Sequence, residues 1–162
     1  MKALVALSAL LSRWVLHAAR VCLAALGLVV IYGVVLRYAF NDAPPYVEQV
    51  ALLLVIAVAM FGAAAGVHDA GHIGLDSLVK LLPAAGQRAV AAVVELLILA
   101  FAALLLYGSV QMGLSTRHDT IPTLGISEAC RYAPPILASL LIGFFSIVHL
   151  MVQFRQQGPA WN

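Results

Sequence analysis

Residues 67–78 read VHDAGHIGLDSL, a stretch that gathers His68, Asp69, His72 and Asp76. Imidazoles and carboxylates at this density are the raw material of a metal centre or of acid–base chemistry. His68, His72 and Asp76 recur at every fourth position, so an unbroken helix would carry them on one face. Gly71 and Gly74 interrupt that interval, and each costs a helix about 1 kcal/mol relative to alanine. The spacing therefore predicts a polar exit turn at His68 and Asp69. A second helix then opens near His72 and Asp76, where a carboxylate suits the helix dipole. No metal site and no cofactor is expected here. Neither HExxH nor a G-x-S-x-G elbow occurs in the chain, which argues against a hydrolytic enzyme.

Glu95 is the other residue with chemical potential, because it stands alone in a long apolar run. An ionisable group inside such a run is costly and is either paired or functional. Arg20 lies at a similar depth in another run, so an Arg20–Glu95 ion pair is one reading. A proton- or cation-carrying Glu95, in a self-sufficient small four-helix transporter, is the alternative. His17 and His149 form the one histidine pair placed to ligate a haem within a bundle, and both also fit ordinary core or interfacial positions.

The elements that must position these groups follow from composition. Hydrophobic residues make up 64% of the chain and charged residues 10%, against roughly 25% charged in soluble domains. With a mean hydropathy of +1.02, most of this surface faces lipid. The net charge of +2 and the absence of a basic run argue against a nucleic-acid partner. Four apolar runs, at about 14–36, 47–67, 89–112 and 132–154, each approach the ~20 residues that cross a bilayer as a helix. Helices satisfy their own backbone groups, which lipid cannot. The expected fold is an all-α integral membrane protein, a single domain over 1–162 with four transmembrane helices.

Residues 1–12 resemble a signal peptide, but another span follows at once, so they read as an interfacial lead-in. Lys2, Arg13, Arg20, Lys80, Arg88 and Arg155 collect at one side, and Arg37, Arg117 and Arg131 at the other. The positive-inside rule then makes both termini cytoplasmic. Cys22 and Cys130 fall on opposite sides, too far apart for a disulfide. Between the second and third spans, Leu75, Leu78, Val79 and Leu82 recur at amphipathic spacing. A short interfacial helix over about 72–82, ended by Pro83, is expected there. In the first outer loop, Pro44 and Pro45 suit a helix opening and Glu48 its first turn.

Taken in order, Arg37-Tyr38, Glu48, Gly62-Ala63-Ala64, His72-Ile73, Asp76 and Leu82-Pro83 resemble the pattern of the small membrane subunit of tripartite ATP-independent periplasmic (TRAP) transporters, the DctQ type. The later segment TIPTLGISEACRYAPPI is similar to that family's Leu-Gly-Ile segment and its following proline. Tyr46, Gln49 and Ser127 depart from the residues usual at their places, a tryptophan, an acid and a proline. The resemblance implies a supporting subunit in the bacterial inner membrane, not an enzyme. Its partners would be a large TRAP membrane subunit (DctM type) and a periplasmic solute-binding protein. The assembly would take up an organic acid, commonly a carboxylate, by sodium coupling. Arg37, Tyr38, Glu48, Gly62, His72, Asp76 and Pro83 then become structural or subunit-interface candidates.

Overall fold

The computed structural model describes residues 2–42, 44–69 and 83–156. Four long helices dominate: α1 over Lys2–Ala39, α2 over Pro45–Asp69, α3 over Ala84–Ser115 and α4 over Ala133–Gln156. Each contains a stretch long and apolar enough to cross a membrane, within Leu4–Ala39, Pro45–Asp69, Ala89–Ser115 and Glu128–Val152. The expected runs 14–36, 47–67 and 89–112 lie inside α1, α2 and α3, and 132–154 runs into α4. The expected interfacial helix at 72–82 lies outside the described residues.

α1 is one continuous helix of 38 residues, about 57 Å long, and the lead-in at 2–12 is part of it. It ends where Asn41 takes a left-handed conformation at φ 50°, a shape that asparagine tolerates better than most residues. The Asp42 amide turns back to the Leu36 carbonyl at 3.1 Å, closing the helix end. Pro45 then opens α2, where its missing N–H would have had no helical partner, and Glu48 stands in the first turn. The two helices form a hairpin in which Gly33 packs against Val47. A β-carbon there would come within 2.8 Å of Val47 Cγ1.

The helices pack in the lateral order α1, α2, α4, α3, with α1 touching α4 lightly. α2 and α4 run in the same direction and make the centre. Small residues are prominent among the buried ones on these two helices: Ala64 and Ala138 are fully buried, and Ala65 and Ser139 nearly so. Without a hydrophobic force between helices in lipid, such residues permit the close backbone approach that dispersion requires. Ile142 joins this cluster, with Ala102 from α3 and Val15 from α1. α4 is the most enclosed helix, whereas α1 and α3 are flanks exposing Trp14, Val21, Leu28, Leu97, Leu104 and Tyr107.

The connection between α3 and α4 is ordered by its own hydrogen bonds. The Ile121 amide donates to the Ile126 carbonyl at 2.9 Å, around Gly125 at φ +67°. Ile121 is buried, and Ser127 caps a short 3-10 helix at Glu128–Tyr132. Pro134 and Pro135 fall in the first turn of α4, where proline is tolerated.

Candidate functional site

The most concentrated polar chemistry among the described residues lies where α2 and α4 end and α3 has made about three turns. Ser146 and His149 are three residues apart on α4, so they share the face turned to α3. Glu95 projects from α3 between them. The Ser146 hydroxyl, fully buried, donates to Glu95 Oε2 at 2.6 Å and also sits 3.0 Å from the Glu95 backbone carbonyl. His149 Nδ1 is 3.2 Å from Glu95 Oε1. Both carboxylate oxygens are thus engaged.

α2 extends this group. The His68 ring lies 6.0 Å from that of His149 and stands edge-on to Phe145 at 5.1 Å. His68 Nδ1 in turn meets Asp69 Oδ1 at 3.1 Å. The group runs from the enclosed Ser146 and Glu95, through the partly exposed His149 and His68, to the open Asp69. The Glu95 side chain is 12% exposed and that of Asp69 62%. No group of three or more His, Cys, Asp or Glu among the described residues is arranged to hold a metal ion.

The Arg20–Glu95 pair expected from equal depth is corrected by the packing order. Arg20 lies on α1 and Glu95 on α3, at opposite flanks of the bundle, so depth does not bring them together. Arg20 stands instead over His17, with Nη1 3.5 Å from Nδ1, a contact at the outer limit of hydrogen bonding. His17 and His149, the pair considered for haem, have these separate neighbours. Ser146 was not singled out in the sequence, although its i, i+3 relation to His149 on an apolar span was there to be read.

The motif residues distribute differently. Arg37 Nη2 meets Glu48 Oε1 at 3.2 Å, bridging the α1–α2 hairpin at its turn. With side chains 58% and 72% exposed, the pair is solvent- or headgroup-facing and belongs with surface bridges worth roughly 0–1 kcal/mol in water. Tyr38 beside it is 83% exposed. Tyr32 and Tyr46 hydroxyls lie 3.3 Å apart across the same hairpin. Gly62 faces open space, and Pro83 is the exposed residue preceding α3. His72 and Asp76 lie outside the described residues. Cys22 and Cys130 are both free thiols.

Comparison with known proteins adds the identity that this geometry alone does not carry. Residues 26–156 match the family described as tripartite ATP-independent periplasmic transporters, DctQ component. A Haemophilus influenzae protein provisionally named a TRAP transporter small permease protein is 28% identical over 130 residues, covering 80% of each chain. A second protein of that organism with the same name is 21% identical over 127 residues, covering 78% of this chain and 77% of its own. The Vibrio cholerae C4-dicarboxylate TRAP transporter small permease protein DctQ is 34% identical over 85 residues, which is 52% of this chain and 37% of that one. The chain is a multi-pass membrane protein and belongs to the DctQ family of TRAP transporter small permease subunits.

Proposed function

We propose that this chain braces a large TRAP membrane subunit of the DctM type in the bacterial inner membrane. In that role it supports sodium-coupled uptake of an organic acid delivered by a periplasmic binding protein. The observation that carries the reading is the match over 26–156 to a permease-subunit family, on a bundle whose flanking helices present broad apolar faces. A brace needs a rigid centre and a free side. The buried cluster of Val15, Ala64, Ala65, Ala102, Ala138 and Ile142 supplies the first, and the outward surfaces of α1 and α3 the second. The C4-dicarboxylate named for the Vibrio cholerae relative supports a carboxylate as cargo. The excess of Lys and Arg on the side of both termini supports a cytoplasmic placement of that side. Tyr38, Arg37 and Glu48 at the opposite end are the exposed motif residues proposed to meet the large subunit.

The alternative in which this chain transports alone through Glu95 requires a carboxylate open to an ion. Glu95 is instead enclosed and holds two side-chain partners. Co-expression with an affinity-tagged large subunit tests the proposal. The two should remain together through size-exclusion chromatography in mild detergent. Stable but separate subunits under conditions that preserve transport would overturn it.

A further inference from the structure

The exposed side of α1 carries charges that no carboxylate among the described residues compensates. Arg13, His17 and Arg20 stand at i, i+4 and i+7, so they form one stripe along the helix. All three are exposed, and the stripe lies well away from the buried face marked by Ser12, Val15 and Ala19. Arg13 has no hydrogen bond or ion pair among the described residues, and Arg20 has only the long contact to His17. At the other end Arg37 and Arg131 each rest on a carboxylate, at 3.2 Å and 3.0 Å, while Arg117 meets the His118 ring at 2.9 Å.

Depth identifies what could answer these charges. Arg37 and Tyr38 mark one membrane surface on α1, and the stripe begins 17 residues before Arg37 (37 − 20) and ends 24 before it (37 − 13). At about 1.5 Å per residue that is roughly 25–36 Å along the axis, against about 30 Å of hydrocarbon. The stripe therefore reaches the headgroup layer of the opposite leaflet. Trp14, 67% exposed and adjacent to Arg13, supplies an indole at the same level, where such rings concentrate. The His17 imidazole, exposed in the same stripe, adds a ring nitrogen that can donate.

We propose that Arg13, His17 and Arg20 form a binding stripe for the phosphate of an anionic phospholipid, with Trp14 packed beside its glycerol–acyl boundary. Guanidinium forks match phosphate oxygens bidentately, and low dielectric near the acyl chains strengthens the contact. Each arginine near an anionic surface contributes about fivefold to partition at low salt, so two contribute on the order of twentyfold.

The test uses the full chain in nanodiscs of mixed phosphatidylglycerol and phosphatidylcholine, with retained lipid counted by native mass spectrometry. In wild type the ratio of retained phosphatidylglycerol to phosphatidylcholine should exceed the ratio in the bulk mixture roughly tenfold or more. R13Q/R20Q should lose that excess while keeping its helical circular dichroism, and R13K/R20K should keep part of it. Excess inorganic phosphate should leave the preference in place, and its removal by free phosphate would overturn the assignment to lipid. An unchanged preference in R13Q/R20Q would also overturn the proposal. So would loss of large-subunit association in that variant with lipid preference intact, because the stripe would then serve a protein partner.

Discussion

Removing Glu95 and His149 separately and together measures whether their contact holds α3 to α4. The pair is 3.2 Å apart, longer than the ~2.7–2.9 Å of the strongest charge-assisted bonds, and neither side chain is more than a quarter exposed. Hydrogen bonds to charged groups contribute about 1.5–3 kcal/mol in soluble proteins, but interhelical bonds in membranes average about 0.6 and reach about 1.7. The length of this contact and the membrane setting both favour the lower range, so a coupling near 1 kcal/mol is expected. Glu95→Leu preserves apolar volume, and Ser146 keeps the backbone carbonyl at 3.0 Å as its acceptor, so the hydroxyl is not stranded. The Glu95→Leu/His149→Leu cycle, read by reversible unfolding in mixed detergent–SDS micelles, then isolates the pair. An Arg20→Gln/Glu95→Leu cycle is the control and should be additive to within about 0.5 kcal/mol. Coupling absent between Glu95 and His149, or present between Glu95 and Arg20, would refute the packing order.

Three further outcomes follow from local geometry. Gly33→Val drives new atoms into the β-branched Val47 and should cost about 1–3 kcal/mol in the same unfolding assay, with partial rescue by Val47→Ala. Gly125→Ala places a β-carbon at φ +67° and should cost about 1–2 kcal/mol, loosening the loop in hydrogen exchange at the Ile121 and Gly125 amides. Cys130 is exposed and Cys22 only partly so. A membrane-impermeant maleimide added outside spheroplasts should label Cys130, and labelling only after lysis would reverse the proposed orientation.

Helix number was legible in the sequence because it depends on local quantities, namely apolar length and the charges that punctuate it. The proline opening of α2 and the position of Glu48 were legible for the same reason. Partner choice was not. Arg20 and Glu95 share a depth, but depth does not tell which helices are neighbours. That depends on where small residues allow close approach, here Ala64, Ala65 and Ala138 at the centre. Once α2 and α4 occupy the middle, α1 and α3 are separated and Glu95 can reach only α4. The family motif behaved in the opposite way. Arg37 and Glu48 are distant in sequence, yet a hairpin turn between two spans brings them together without any knowledge of the bundle. His149 was visible as an intramembrane histidine, and its partner Glu95 as an intramembrane acid. Joining them required the tertiary order.

The central claim is that this chain supports transport by another subunit and does not transport alone. The most direct measurement is sodium-driven uptake of a labelled C4-dicarboxylate into liposomes, with the binding protein present and the two membrane subunits supplied singly or together. Uptake should require both membrane subunits, and liposomes holding only this chain should match empty ones. Sodium-dependent uptake by this chain alone, lost in Glu95→Gln, would contradict the account.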